Sequence, residues 1–167
     1  MKIRVGVLTV SDRSFRGERP DLSGPAIQEV VHEQGWLVVD QAIVPDEIKM
    51  LCDILESWAD SGEIDVILTT GGTGFAPRDL TPEATMAVID RNAPGLAEAM
   101  RLSSLQVTPH AMLSRAIAGM RGKCLIINLP GSPKGAKENL HVIIPVLPHA
   151  VQLLNEDRRA EEGHQLD

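Results

Sequence analysis

The chain has 167 residues, a hydrophobic share of 43% and a formal net charge of −7. That length suits one domain with room for a real core, and the acidic balance argues against the basic surface that nucleic acid or an anionic membrane would require. With no Tyr, two Phe and two Trp, the core must be built from Val, Ile, Leu, Met and Ala.

In chain order, Ile3 to Val10 (IRVGVLTV) predicts a buried strand. Residues 11–23 (SDRSFRGERPDLS) carry no periodicity, and a loop of that length in a compact domain is usually functional or mobile. Ser23 is the expected cap of a helix to Gln34, which Gly35 stops. Trp36 to Val44 predicts a second strand. Asp46 follows as the expected N-cap of a helix reaching Ala59, with Ile48, Leu51, Ile54, Leu55 and Trp58 as its apolar stripe.

Ile64 to Thr70 (IDVILTT) predicts a third strand, running straight into Gly71-Gly72-Thr73-Gly74. Thr81-Pro82 opens the next helix, with Thr as cap and Pro in the first turn. A further helix covers Leu96 to Leu105, and residues 106–120 give no clear pattern. Cys124 to Leu129 (CLIINL) predicts a fourth strand, ending in Pro130-Gly131-Ser132-Pro133-Lys134-Gly135. A helix to about Ile143 and another through Val151-Leu154 follow, and the tail from Asn155 is charged and expected to fray. The reading is one domain over residues 1–155 and a charged tail over 156–167.

Buried strands alternating with helices imply a parallel sheet covered on both faces. Ligands bind such sheets beyond the C-terminal ends of the strands, which directs attention to residues 11–23, 44–47, 70–81 and 129–136. Cys52 and Cys124 lie in no metal-thiolate spacing and read as reduced thiols of a cytoplasmic protein. The N-terminus opens on a strand pattern rather than a secretory leader, and no apolar run approaches a membrane span.

The strongest chemical signal is TTGGTGFAPRDLT, residues 69–81. Glycines after a strand let backbone amides face a ligand without Cβ atoms in the way. Thr70 and Thr73 add hydroxyls, Arg78 a fork for phosphate, and Asp79 a carboxylate suited to Mg²⁺ or a ring nitrogen. The alternative is a glycine-rich turn with a surface ion pair. The loop is not G-x-G-x-x-G, because Pro77 holds the third glycine's place. It is not a GKS/T loop either, since Gly122-Lys123 is followed by Cys124.

Residues 130–135 could hold phosphates at a helix N-terminus through their amides, Ser132 and Lys134, or could be a plain turn. Asp46 and Ser11-Asp12 could be caps or ligand groups. Arg13, Arg16 and Arg19 make the first loop locally basic. His110, His141 and His149 have no partner pattern and read as structural. No Ser-His-Asp or Cys-His arrangement can be assembled from the loops, so covalent nucleophilic catalysis has no support.

TTGGTGFAPRDLTPEAT (69–85) resembles the signature of molybdopterin adenylyltransferases, the MogA and MoaB proteins and the gephyrin G domain. NLPGSPKGAKENL (128–140) resembles their second signature. VSDR (10–13), DLSGPAI (21–27), VPDE (44–47) and PGLAEAMR (94–101) fall in the order of the family's pterin- and nucleotide-facing segments. The resemblance implies a three-layer α/β/α fold with a mostly parallel sheet, a homotrimer, and Mg²⁺ with ATP as co-substrate. The implied reaction joins AMP to the phosphate of molybdopterin and releases pyrophosphate, before hand-off to a molybdenum-insertion protein.

By the same resemblance, Asp46 and Asp79 are the catalytic acidic pair that organises Mg²⁺. Gly71, Gly72, Thr73 and Gly74, with Pro130, Gly131, Ser132 and Lys134, would cradle the nucleotide and phosphates. Ser11, Asp12, Ser23, Thr73 and Arg101 would face the pterin. Three other functions share these motifs: a MoaB-type carrier that binds molybdopterin without adenylylation, a hydrolase of preformed diphosphates, and a gephyrin-like scaffold. The last would use an additional domain and linker.

Overall fold

In the computed structural model, residues 2–156 are described. The charged-tail expectation for 156–167 therefore lies, beyond Glu156, outside the described residues. Strand β1 (Arg4–Val10) is followed by a single helical turn, α1 (Asp12–Phe15), and by α2 (Ser23–Glu33). Next come β2 (Leu37–Val44), α3 (Ile48–Asp60), β3 (Val66–Thr70) and α4 (Thr81–Val88). The two-residue β4 (Arg91–Asn92) leads to α5 (Pro94–Leu105), a 3-10 turn (Pro109–Leu113) and β5 (Ala118–Arg121). The chain closes with β6 (Cys124–Leu129), α6 (Pro133–Ile143), a short 3-10 turn and α7 (Leu147–Leu154).

The six strands form one sheet in the order β2-β1-β3-β6-β5-β4. β2, β1, β3 and β6 run parallel. β5 lies antiparallel to β6, and β4 antiparallel to β5. The predicted parallel core is thus present, and the antiparallel β5–β6 hairpin is an addition. It turns on Gly122-Lys123, and Gly122 takes the left-handed φ of 53° that a two-residue hairpin needs.

Strand side chains alternate between two apolar layers, as the pleat requires. Val5, Val7, Val66, Leu68, Leu125 and Ile127 face α2, α5, α6 and α7. Leu8, Val10, Ile67 and Ile126 face α3 and α4, where Leu51, Leu55 and Trp58 meet them. Helices on both faces make this the expected three-layer α/β/α arrangement, and its core is mainly aliphatic, with one tryptophan buried in each layer, Trp36 and Trp58.

Local capping differs from expectation at three helices. Ser23 does not cap α2. Asp21 does, its Oδ1 accepting from the Gly24 N–H at 3.0 Å and from the Ser23 hydroxyl at 3.3 Å. Thr81 is the first residue of α4 rather than its cap, and its hydroxyl donates to Gly71 O at 2.8 Å. Asp46 precedes the actual cap position of α3, Glu47, and its carboxylate makes no bond to that helix end. Thr81 and Asp46 leave the local cap for partners brought in by the fold, whereas Ser23 yields it to Asp21, two residues earlier.

A polar knot sits inside the sheet. The fully buried Asn128 of β6 donates through Nδ2 to Thr69 Oγ1 (3.0 Å) and Thr85 Oγ1 (2.9 Å), and its Oδ1 accepts from the Ile117 N–H (3.3 Å). It ties β6, β3, α4 and the segment before β5 together. Replacing it orphans groups that water cannot reach. Asn128→Leu should therefore lower unfolding stability by about 3 kcal/mol; a urea midpoint within error of the parent would show that the knot is dispensable.

Candidate functional site

The order β2-β1-β3 places a switch point at β1, whose successor strands lie on opposite sides of it. The segments leaving β1, β2, β3 and β6 therefore converge at one sheet edge. Their backbones approach more closely than side chains would permit. Gly71 has φ 99°, and a Cβ there would collide with Val10 O. Gly72 has φ 65°, and a Cβ there would collide with Thr81 Oγ1 and stand 3.0 Å from Asp46 Oδ1. On the other side, Thr70 Oγ1 donates to Pro130 O at 2.7 Å, and the Gly71 N–H to Leu129 O at 3.3 Å.

Asp12 and Asp46 exchange hydrogen bonds across the edge. The Asp12 N–H donates to Asp46 Oδ2 at 3.0 Å, and the Asp46 N–H to Asp12 Oδ1 at 3.1 Å. Arg78 completes the set with a bidentate contact to Asp12, Nε at 2.5 Å and Nη2 at 2.9 Å. So the predicted phosphate fork is here engaged in an ion pair. The Arg78 guanidinium holds the Asp12 carboxyl below the usual carboxylate range. Burial pushes the Asp46 carboxyl the other way, with the charges of Asp12 and Asp79 adding to it and the Asp12 amide opposing it. Asp79 Oδ2 accepts from the Ala76 N–H at 2.9 Å, folding the 76–79 turn.

Both oxygens of Asp12 are therefore engaged, while Asp46 Oδ1 and Asp79 Oδ1 accept no hydrogen bond among the described residues. The same cavity is lined by both carboxylates. Mg²⁺ takes one or two carboxylates and completes its shell with water and substrate phosphate, rather than a closed protein cage. The pair fits that donor set. No cluster of three or more His, Cys, Asp or Glu able to hold a metal exists among the described residues.

Two cavities flank the glycine loop. The larger, about 700 Å³, is lined by Ser11, Asp12, Ser23, Asp46, Gly71, Gly72, Asp79 and Gly131, with Arg13 and Arg19 at its rim. The smaller, about 430 Å³, is lined by Thr73, Gly74, Arg101, Pro130 and Lys134, with Val107 and Leu113 giving it an apolar wall. Ser132 lines both. Its hydroxyl caps α6 by accepting from the Gly135 N–H at 3.1 Å.

Every residue that the resemblance assigned to the site thus lies on at least one of the two cavities, while Arg78, read as a phosphate fork, lines neither. The five pterin-side candidates are divided, however: Ser11, Asp12 and Ser23 line the larger, Thr73 and Arg101 the smaller. Ser11 also caps α1, its Oγ accepting from the Ser14 N–H at 3.2 Å. Arg101 donates to Ser114 O (3.3 Å) and Ala116 O (2.7 Å). His110, read as structural, lines the smaller cavity. Sequence reasoning missed Asn139 and Thr108 on that cavity, and Arg115, which braces the glycine loop. The last two lie in residues 106–120, where no periodic signal exists to find them.

The fold and site define a class: an α/β protein whose glycine-rich loop separates two cavities, one of them lined by a carboxylate pair. Residues 6–149 match the family model described as "Probable molybdopterin binding domain", and the chain belongs to that family. It is 47% identical over 154 residues to the molybdopterin adenylyltransferase of Helicobacter pylori strain J99, covering 91% of this chain and 88% of that protein. It is 45% identical over 161 residues to gephyrin of Dictyostelium discoideum, but there it spans only 22% of the relative's length. The crystal structure of the molybdopterin biosynthesis enzyme MoaB from Thermus thermophilus matches with a TM-score of 0.88 at 55% identity, covering 93% of this chain and 98% of that one.

The left-handed Gly72, wedged against Thr81 and Asp46, gives a direct test of the site's packing. Gly72→Ala should lower the melting temperature by roughly 3–10 °C, from backbone strain and displaced neighbours. An unchanged melting curve would mean that the loop rearranges freely.

Proposed function

We propose that this chain is a molybdopterin adenylyltransferase, acting in molybdenum cofactor biosynthesis. The carrying observation is that Asp46 and Asp79 line one cavity beside the Gly71–Gly72 and Gly131–Ser132 backbones. The names of the similar proteins supply the substrate. In this reading ATP and molybdopterin occupy the two cavities, and their phosphates meet at the shared wall of Ser132.

A terminal phosphate oxygen of the pterin attacks the α-phosphorus of ATP. The bond from that phosphorus to the bridging oxygen breaks, and pyrophosphate leaves with the electron pair. The nucleophile is already anionic near pH 7, so no side chain has to deprotonate it. This suits a site without a His-based triad. Catalysis of this kind rests on positioning and charge neutralisation. Asp46 and Asp79 would hold Mg²⁺, which when bound supplies that neutralisation. The amides of the glycine loop and of the α6 N-terminus would hold phosphate oxygens. Arg13, Arg19 and Lys134 offset the repulsion that a chain of net charge −7 presents to two polyanions.

The assembly expected with this activity is a homotrimer in the cytoplasm, passing its product to a molybdenum-insertion protein. Among the described residues no helix is long and apolar enough to cross a membrane.

Purified protein mixed with molybdopterin and Mg-ATP should release pyrophosphate and form an AMP–pterin adduct. Asp46→Asn and Asp79→Asn should each slow this by roughly a hundredfold or more while retaining pterin binding. Turnover near the parent rate in either variant removes that residue from the chemistry. Pterin binding without any pyrophosphate release, by the parent itself, would make this chain a binding or carrier protein.

A further inference from the structure

Residues 106–120 contain one arginine, Arg115, and it lines neither cavity. It grips the glycine loop from outside with both backbone and side chain. Its N–H donates to Thr73 O at 2.8 Å. Its Nε donates to Gly74 O at 2.7 Å, and its Nη2 to Asp79 O at 2.5 Å. The same guanidinium is ion-paired with Glu83 in the first turn of α4, which anchors it to the helix that follows the loop.

We propose that Arg115 is a positioning residue for phosphate transfer, setting the direction in which the loop's amides point. This rests on the adenylyltransferase reading. Within a planar trans peptide unit the C=O and N–H point opposite ways. Drawing Thr73 O and Gly74 O toward Arg115 therefore turns the N–H groups of Gly74 and Phe75 away from it. Those two N–H groups donate to no protein acceptor among the described residues, so they are free for an anion. Released from Arg115, the carbonyls could turn inward and present negative dipoles to the phosphates. The contact to Asp79 O fixes the far end of the same loop, and with it the residue that carries one of the two carboxylates.

The geometry is specific to arginine. A planar fork can serve Gly74 O, Asp79 O and a carboxylate at once, whereas a lysine ammonium is a single point charge on a flexible stem. Exposure is consistent with a brace rather than a ligand group: the Arg115 side chain is 34% exposed and its partner Glu83 44%.

The test compares the parent with Arg115→Met, Arg115→Lys and Glu83→Gln. ATP affinity is measured by calorimetry, and pyrophosphate release at varied ATP and pterin. Arg115→Met should raise both the dissociation constant and the KM for ATP about tenfold or more, with Arg115→Lys restoring little and Glu83→Gln showing a smaller loss of the same kind. A lower kcat with ATP affinity and KM unchanged would reveal a purely structural role, a reduced folded fraction, and overturns the proposal. Should Arg115→Met fail to fold, ATP affinity within about twofold of the parent in both other variants overturns it equally. A parent that binds ATP but releases no pyrophosphate defeats the adenylyltransferase reading, while the affinity comparison still decides Arg115. A parent that binds no ATP defeats both.

Discussion

The close approach of backbone to backbone at the C-terminal edge of the sheet is the constraint on which the site depends. Gly71 lies against Val10 O, and Gly131 packs against Gly71 so closely that a Cβ at 131 would stand 3.2 Å from the Gly71 Cα. The ends of β1 and β3 are thereby brought nearer than a side chain at 71 would permit, and the end of β6 lies almost as close. The glycine loop becomes a thin partition, with a cavity on each side and Ser132 reaching both. Under the proposed function, a thicker partition would hold the two substrates apart, and this one leaves their charged ends room to meet.

The electrostatics follow from that crowding. Three aspartates, 12, 46 and 79, share one cavity in an acidic protein, and each has different hydrogen-bond partners. Asp12 is saturated by Arg78 and by the Asp46 amide, and stays ionised. Asp46 is half-buried, repelled by its neighbours, and retains an oxygen with no donor. Asp79 is bound on one oxygen by its own turn. Negative charge concentrated in this way is what a cation would offset.

Much of this was legible in the amino-acid sequence. Unbroken apolar strands and amphipathic helices specify their own type, because burial on both faces or on one stripe leaves no other period. The four parallel strands, the helices between them and the two glycine-rich turns follow from local pattern. So does the resemblance that singled out Asp46 and Asp79. Glycine after a strand is informative because few other residues can occupy φ values such as 99° and 65°.

Tertiary structure decided the rest. β4 and β5, of two and four residues, have too little sequence to declare themselves; β5 pairs along the edge of β6, and β4 in turn along β5. Asp46 looked like a helix cap and is instead paired with Asp12, thirty-four residues away, because a reciprocal pair of amide bonds outweighs one local cap. The candidate pterin residues fall on two cavities because a partition has two sides, and sequence order records only one dimension. Arg115 could be found in no periodicity, since its role is defined by the three carbonyls that folding brings to it. The sequence by itself determined which elements form and which residues can bear chemistry. Only the fold decided their partners, because hydrogen bonds and charges act through space, and closeness in space is set when the strand ends meet.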